Sequence, residues 1–378
     1  MDPALDPARG PALPGRPRVV GDLTVLRRSP TEVQIGLDPR LAAVAADLPE
    51  PLVPLVARLT GRERTEDVLA AAGEHREAMH GLLAELTARG LVDDAARQAG
   101  PLPRHLAGDQ AACDIRAARA AASAGPPDGP AARRGLAMVV RGDGRLAVAT
   151  ATLLAAAGVG WVHVRASGTV RPEDTGTGYL ADDVGRRRAV AARDALRRTD
   201  AAVRTGPCRR DRGPDLVILT DAIVQEPLRV AALVAAGVPH LAVRMRDGAG
   251  IVGPLVVPGL TSCLRCADLQ RCDRDECWPH LATQLAGRIQ HADVAGTHAT
   301  AAFAAAQALD AVRWLKGAAG PPATCNATVE LDVYTADIRH RAWPAHATCS
   351  CGADVGCVNV AADSKDELRE SRRDGDAS

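Results

Sequence analysis

Two pairs of cysteines, separated by more than eighty residues, constrain the fold of this chain more than any other feature. Cys263 and Cys266 stand in Cys-Leu-Arg-Cys, and Cys349 and Cys351 stand in Cys-Ser-Cys. Four thiolates suit a tetrahedral zinc ion and leave no open coordination position, so the pattern predicts a structural zinc site. Two disulfides or unligated buried thiols are the alternatives, and Cys357 is an alternative fourth ligand. A shared metal would tie the end of the chain to a distant loop.

Composition excludes several classes of protein. The chain has 378 residues, a formal net charge of zero and only 2% aromatic residues. Neither a nucleic acid nor a membrane surface is favoured as a partner, because both select for clustered positive charge. No apolar run approaches the ~20 residues that span a bilayer, and the first residues lack the features of a signal peptide. We therefore expect a cytoplasmic protein, where paired cysteines favour metal over disulfides.

The first part of the chain has the pattern of a winged helix. Residues 23–28 and 32–37 predict two strands, and residues 91–94 predict a third, short strand. Helices are predicted near residues 40–47, 51–59, 65–72 and 75–89. In the last helix Met79, Leu82, Leu83 and Leu86 recur every three or four residues and form one apolar face.

DNA binding is the common function of a winged helix, but it requires a positive face. The helix that would read DNA carries three glutamates and two arginines between Glu74 and Arg89. An exposed strand edge can instead accept an extended peptide as an additional strand. We therefore predict peptide binding at the edge of strand 32–37 together with helix 75–89.

Changes in composition divide the chain into five segments. Residues 1–17 are predicted to be disordered, and residues 18–95 form the winged-helix domain. A linker rich in proline and glycine follows at residues 96–133. The second domain spans residues 134–358, and a charged tail at residues 359–378 is predicted to be disordered.

The second domain has the pattern of a Rossmann-like α/β fold. Predicted strands alternate with predicted helices, which indicates a parallel sheet covered by helices. The strands are predicted at residues 136–140, 158–164, 201–205, 215–221 and 239–244, and the helices at residues 145–157, 183–198 and 225–236. After Met245 come a short strand, the first cysteine pair, a polar region at 272–286, a helix at 297–315 and a terminal hairpin.

A glycine loop connects the first strand of this domain to its first helix. Gly142 and Gly144 would let the backbone approach a phosphate at the helix N-terminus, which is typical of a nucleotide site. Asp143 places a carboxylate where the phosphate charge would lie, however. The acidic residue that holds ribose hydroxyls is expected about 20 residues later, but the second strand is followed by Arg165-Ala-Ser-Gly. The loop predicts the fold, while ATP binding is not expected.

These motifs resemble the ThiF/MoeB family, relatives of ubiquitin-activating enzymes. The resemblance covers roughly residues 134–350. It rests on the glycine loop, Ala157-Gly-Val-Gly160, Val184-Gly185, Thr220-Asp221 and the two cysteine pairs. It implies an enzyme with a Rossmann-like fold that uses ATP to adenylate a carboxyl terminus. It also implies that the four cysteines bind a structural zinc ion.

The chain departs from the family at several nucleotide-site positions. Where the family has an acidic residue after the second strand, this chain has Ala166, and where the family has a lysine, this chain has Arg188. The family's nucleotide-site arginine has no counterpart in residues 172–178. Asp221, the magnesium-site acid implied by the resemblance, is retained. Gly142, Gly144 and Asp221 are therefore expected to form a vestigial nucleotide site, because losing several charge-stabilising groups should abolish adenylation.

A narrower resemblance is to the actinobacterial ThiF-like proteins of azole-forming (TOMM) peptide clusters. The segment from Cys263 to Pro279 is similar to the Cys-Leu-Arg-Cys-x-Asp-Leu…Asp-Arg-Asp…Trp-Pro stretch of that group. The resemblance implies a non-catalytic partner of a YcaO cyclodehydratase, which uses ATP to make azolines. The winged-helix part would be a PqqD-like element that binds the leader peptide of a precursor. ThiF relatives commonly form dimers, which leaves a homodimer open.

The leading hypothesis is a leader-peptide-binding scaffold in ribosomal peptide biosynthesis. The alternative is an active ATP-dependent adenylyltransferase that acts on the C-terminus of a peptide or sulfur carrier. A DNA-binding regulator is a third class, which the balanced charge disfavours.

Overall fold

The computed structural model describes residues 13–37, 42–97, 106, 109–114, 129–208, 213–317 and 320–353. The chain divides into two compact units, Met1–Ala131 and Ala132–Ser378. Residues 1–12 of the leader predicted at 1–17, the tail at 359–378 and much of the linker at 96–133 lie outside the described residues. In the described part no helix is long and apolar enough to cross a bilayer.

In its described residues the first unit combines short strands with short helices. Its strands are β1 (Pro17–Val19), β2 (Val25–Ser29), β3 (Glu32–Ile35), β4 (Ala43–Ala45) and β5 (Val92–Asp94). Its helices are α1 (Val53–Val56), α2 (Thr65–Ala71) and α3 (Arg76–Ala88). Strands β2, β3 and β4 form one antiparallel sheet, and β1 pairs with β5 in a second.

The apolar face of α3 forms the centre of this unit's core. Met79, Leu82, Leu83 and Leu86 are all buried, as their spacing predicts. They pack in one cluster with the inward residues of β3 and the short helix α1. Full burial of each such side chain contributes about 1.5–3 kcal/mol, so this face provides much of the stability of a small unit.

Two predictions about this unit are wrong, and both have the same cause. The helix predicted near residues 40–47 is replaced by the strand β4, while residues 38–41 lie outside the described part. Pairing of Val33, Gln34 and Ile35 with β4 outweighs the helix propensity of its alanines. As a result β3 lies between two strands, and its predicted free edge is occupied.

A short helix, α4 (Pro130–Arg133), precedes the seven-stranded sheet of the second unit. The strands of this sheet are β6 (Ala137–Arg141), β7 (Trp161–Arg165), β8 (Leu216–Leu219), β9 (His240–Arg246), β10 (Ala249–Val256), β11 (Ala327–Asp332) and β12 (Asp337–Ala342). Their order is β12-β11-β10-β9-β8-β6-β7. Strands β7, β6, β8 and β9 are parallel, and β9 to β12 are antiparallel. The sheet is therefore mixed: the predicted parallel arrangement holds for one half, and two hairpin turns extend it.

Six longer helices cover the sheet or extend from its edges. They are α5 (Arg145–Ala156), α6 (Arg188–Thr199), α7 (Pro227–Ala235), α8 (Leu264–Cys272), α9 (Trp278–Leu285) and α10 (Val294–Leu315). Helices α5, α6 and α10 share one core with one face of the sheet. Helix α7 packs on the opposite face through Val230 and Leu233.

Three details of this unit differ from the prediction. The strand expected at residues 201–205 is only an isolated bridge between Arg204 and Trp161. The polar region at 272–286 contains α9, whose residues are all at least partly exposed. The helix predicted at 183–198 begins later, at Arg188, after a 3-10 turn at Ala181–Asp183.

Candidate functional site

The four predicted cysteines meet at one end of α8. Their sulfur atoms all lie within 4.8 Å of one another. The Sγ···Sγ distances are 3.8 Å between Cys263 and Cys266, 3.6 Å between Cys263 and Cys349, and 3.6 Å between Cys266 and Cys351. A tetrahedron with Zn–S bonds of about 2.3 Å has edges of about 3.8 Å, so the four thiols fit a tetrahedral ion such as zinc. Cys357 lies outside the described residues.

Separate elements deliver the two halves of this cluster. Cys263 is the N-cap residue of α8 and Cys266 lies in its first turn, where the helix dipole favours a thiolate. The second pair follows β12, and the segment that carries it is fixed by Trp343, whose indole N–H donates to the Thr328 hydroxyl at 3.0 Å. The His346 ring lies 2.8 Å from the Asp273 carboxylate, which ties the same segment to the end of α8.

The thiols of the cluster influence one another strongly. The Cys263 thiol donates a hydrogen bond to Cys266, which raises the pKa of Cys263 and lowers the pKa of Cys266. Burial raises the pKa of Cys349 to about 11. Without a metal the cluster therefore retains protons, and a bound cation would release them.

The glycine loop lies between β6 and α5, as predicted. A Cβ atom on Gly142 would lie 1.9 Å from the Thr220 hydroxyl and 2.3 Å from the Asp221 carboxylate, so only glycine fits there. The backbone N–H of Gly144, the N-cap residue of α5, donates to Asp221 Oδ2 at 3.0 Å. A carboxylate of the chain itself therefore bonds to the N-terminal end of the helix, where a phosphate would be bound in a nucleotide site.

Asp221 is held in an unusual environment. Its residue is 5% exposed and adopts a φ of 74°, a backbone conformation that few non-glycine residues adopt. Burial raises the pKa of its carboxyl, and the hydrogen bond from Gly144 opposes that rise. The Thr220 hydroxyl lies 3.2 Å from the same carboxylate. Strain and burial at one residue mark a position that the surrounding structure holds firmly.

Several other polar groups around the loop are bonded to each other, whereas the Nε atoms of Arg141 and Arg145 are buried without a hydrogen-bond partner among the described residues. Asp143 accepts hydrogen bonds from the backbone N–H and the hydroxyl of Ser167, at 2.6 and 2.8 Å. Arg188 donates from Nη2 and Nε to the buried Asp174 carboxylate, at 2.7 and 3.1 Å. Its third nitrogen donates to the Ser167 carbonyl at 3.2 Å. These polar groups satisfy one another without any ligand.

Comparison with known proteins identifies the second unit. The model of the ThiF family matches residues 124–353, more than half of the chain. The chain belongs to the ThiF family. Comparison with curated protein sequences gave no match.

Solved structures share the fold of this ThiF-family chain. Escherichia coli MccB with MccA-N7isoASN is 15% identical, and the match covers 89% of this chain and 99% of that chain with a TM-score of 0.65. E. coli MccB with ATP is 14% identical over the same shares, with a TM-score of 0.63. PaaA is 18% identical over 85% of this chain and 98% of that chain, with a TM-score of 0.62. At these identities the likeness shows the fold alone.

The family resemblance places two substituted positions beside the loop, and the structure shows what they contact. Ala166 packs partly buried against the main core and offers no polar group. Arg188 occupies the position of the lysine implied by the resemblance, and its charge is balanced by Asp174. The pairing of Arg188 with Asp174 joins residues of two different turns, and nothing in the sequence of either turn indicates it.

A groove in the first unit lies between β4 and α3. It encloses about 280 Å³ and is lined mainly by apolar side chains, including Leu82, Leu86 and the half-exposed Val44. An ion pair between Glu85 and Arg89, with an N···O distance of 2.7 Å, borders it. Among the described residues β4 pairs only with β3, so its outer edge is free to accept another strand.

A second cavity, which the sequence did not predict, lies on the α7 face of the large sheet. It encloses about 910 Å³ between β9, α7, α8 and the segment that carries the second cysteine pair. Arg244, Trp278 and Trp343 are among its lining residues. One sequence signal could have indicated this cavity. Arg244 and Arg246 alternate with Met245 in a buried strand, and alternate residues of a strand share a face.

Proposed function

We propose that this chain is a non-catalytic scaffold that binds the leader peptide of a ribosomal precursor. In this proposal it presents the precursor to a YcaO cyclodehydratase, which forms azolines that become azoles. The first unit acts as a winged-helix recognition element, and the ThiF-family unit supplies a stable frame. The thiol-rich zinc site fits a reducing compartment, so we place this function in the cytoplasm. A homodimer remains an expectation from the family.

The main observation behind the proposal is that groups at the glycine loop are already bonded to carboxylates of the chain. An adenylating site needs cations and backbone N–H groups that are free to bind ATP and stabilise the transferred charge. Here the N–H of Gly144 is bonded to Asp221, and the guanidinium of Arg188 is bonded to Asp174. ATP would have to displace both carboxylates, and each displacement would leave a buried charge without its partner. These bonds favour a loop that preserves the fold rather than one that performs chemistry.

The groove between β4 and α3 supports the peptide-binding half of the proposal. An extended peptide that adds to the outer edge of β4 would satisfy its backbone groups and place alternate side chains in the groove. The apolar lining suits hydrophobic leader residues. Helix α3 carries more acidic than basic side chains between Glu77 and Glu85, which disfavours the phosphate contacts of DNA binding.

The comparison with MccB also supports the proposal that this chain binds a peptide. MccB is the microcin C7 biosynthetic enzyme, and it was solved in complex with N-formylated MccA. The match covers 89% of this chain, whereas the second unit is 247 of 378 residues, about two thirds. The likeness must therefore include part of the first unit, which contains the proposed groove.

We also propose that the four-cysteine cluster holds structural zinc. All four positions of a tetrahedral ion are filled by thiolates of the chain, so no position remains for a substrate. The ion would join α8 to the segment after β12 and contribute to stability rather than to chemistry.

Peptide titration tests the proposed function. A labelled leader peptide encoded beside the chain's gene is titrated with the zinc-loaded protein, and fluorescence polarisation is measured. We expect saturable binding that ATP does not change. Absence of saturable binding, both alone and with the YcaO protein present, would overturn the proposal.

A further inference from the structure

The cavity over β9 contains a buried cation without an ionic partner. Arg244 is only 8% exposed and lines the cavity floor. Within the described part of the chain its guanidinium has no hydrogen bond and no carboxylate within ion-pair distance. A buried charge is strongly unfavourable unless it is paired, so an arginine held in this way indicates a missing anion.

The acidic groups nearest to Arg244 are already engaged by other arginines. Asp268 accepts from Arg271 at 2.7 Å, and Glu330 lies 3.1 Å from Arg246 and 3.3 Å from Arg341. Burial lowers the pKa of Arg244 to about 10, and the neighbouring charges of Arg271 and Arg246 contribute to the decrease. The cavity is lined by six arginines, two aspartates and three cysteines of the cluster. A zinc ion with four thiolates would carry two negative charges, so the lining as a whole remains positive.

A second arginine of the cavity lining contacts two aromatic rings. Trp278 lines the cavity with its ring, while its indole N–H is buried away from solvent and has no hydrogen-bond acceptor among the described residues. The guanidinium of Arg271 lies 5.0 Å from the centre of the Trp278 ring and 4.5 Å from the centre of the Trp343 ring. The two rings thus hold Arg271 in place beside Arg244. Two arginines therefore line the same space, which is the pattern of a site for an oxyanion.

The opposite wall of the cavity is apolar. It is formed by α7, whose Leu228, Ala231 and Val234 line the space. A phosphate or sulfate ion would fill little of about 910 Å³ and would leave this wall in contact with water. A volume of this size and a mixed lining are typical of sites for drug-sized organic ligands.

We propose that this cavity binds a carboxylate carried on an apolar or aromatic body, with Arg244 as the anchor of the carboxylate. Arg271 completes the polar end of the site, and α7 contacts the apolar body. The carboxylate can belong to the C-terminus of an apolar peptide or to a small aromatic acid. The site belongs to the second unit and the groove to the first, and the inference does not depend on the proposed function.

Paired acid and amide probes test this proposal on the full zinc-loaded chain. The peptide arm compares N-acetyl-Leu-Phe with its C-terminal amide, and the small-molecule arm compares indole-3-acetate with indole-3-acetamide. Binding of each probe is measured by isothermal titration calorimetry, which does not require a chromophore. We expect at least one acid to bind saturably and its amide to bind at least tenfold more weakly. The arm with the tighter acid identifies the source of the carboxylate.

Two variants complete the experiment. Arg244→Met should abolish binding of the acid, whereas Arg193→Met, which changes an exposed arginine on α6, should bind as the wild type does. Because Arg244→Met removes an unpaired buried charge, we expect its ligand-free form to melt at the same temperature as the wild type or higher. Equal binding of acid and amide, unchanged binding by Arg244→Met, or no binding by either acid would overturn the proposal. The proposal would also be overturned if Arg244→Met melted at a lower temperature and lost its zinc. Arg244 would then serve only to balance the negative charge of the four cysteine thiolates.

Discussion

The backbone N–H of Gly144 donates a hydrogen bond to the carboxylate of Asp221 across 3.0 Å. The two residues are 77 positions apart, and their contact closes the glycine loop onto the end of β8. The N-terminus of α5 therefore has an anion of its own, supplied by the chain. A contact of this kind stabilises the family fold around the glycine loop.

This contact predicts that the protein does not activate a carboxyl terminus. We expect ATP–pyrophosphate exchange at the background rate with a leader peptide or precursor as substrate, because Gly144 and Arg188 are bonded internally. The exchange is measured with labelled pyrophosphate, and an active ThiF-type enzyme serves as the positive control. Exchange above background that disappears in Asp221→Ala would support the adenylyltransferase alternative instead.

Asp221 also predicts a pH dependence of stability. Burial raises the pKa of its carboxyl above the ordinary value of 3.8, so the folded state holds the proton more tightly than the unfolded state does. Its contribution to stability is therefore greatest at low pH, and it is lost as pH rises from 3.8 through the raised value. Asp221→Asn, which cannot ionise, should gain stability relative to the wild type as pH rises, and the gain should level off.

Urea unfolding at a series of pH values measures this difference, and both proteins carry the same zinc site, so its own pH dependence cancels. A difference in unfolding free energy that stays constant with pH would show that burial does not control the charge of Asp221.

The ion pair between Arg188 and Asp174 predicts a large effect on stability. The two side chains are 12% and 2% exposed, so removing one partner leaves the other buried without compensation. We expect Asp174→Ala to lower the free energy of unfolding by about 3–5 kcal/mol. Its neighbour Glu173 is exposed, and Glu173→Ala should change stability by less than about 0.5 kcal/mol. Equal effects of the two variants would contradict a structural role for this pair.

Zinc content and stability should depend on the four cysteines. We expect about one zinc per chain by plasma mass spectrometry, and Cys263→Ser should lose zinc and roughly 3 kcal/mol or more of stability. Cys272→Ser, on the same helix but outside the cluster, should keep both. Comparing Cys351→Ser with Cys357→Ser identifies the fourth ligand, and we expect only the first to lose zinc. Full stability of the metal-free wild type would argue against a structural ion.

Charge in the groove of the first unit should prevent peptide binding. Ala78 is exposed on α3 and lines the groove, so Ala78→Glu places a carboxylate against the apolar segment of a bound peptide. We expect it to weaken leader-peptide binding at least tenfold, which is about 1.4 kcal/mol. Ala88→Glu makes the same change on the same helix outside the groove and should bind as the wild type does. Equal affinities would mean that the peptide binds elsewhere.

The sequence was informative where a local pattern determines the structure. The spacing of Leu82 and Leu86 predicts the buried face of α3, and the glycine loop predicts the turn between β6 and α5. The two cysteine pairs favour a shared site over two disulfides or unligated thiols, and the structure brings all four thiols together. In these cases a few neighbouring residues carry the signal.

The features that the sequence did not predict depend on residues far apart in the chain. The strand β4 forms because β3 needs a second partner, and its alanines alone favour a helix. The bonds of Asp221 to Gly144 and of Arg188 to Asp174 require the folded arrangement of separate loops. The cavity at Arg244 likewise joins β9, α7 and α8, so no single segment indicates it.

Reconstituted azoline formation tests the central claim most directly. The YcaO protein, ATP and the precursor peptide are combined with the wild type, Asp221→Asn or Ala78→Glu, and loss of water from the precursor is measured by mass spectrometry. If the chain is a non-catalytic peptide-binding scaffold, the wild type and Asp221→Asn will support equal rates, and Ala78→Glu will support a much lower rate at limiting precursor. Efficient modification without this chain, or its loss in Asp221→Asn while the protein remains folded, would contradict that account.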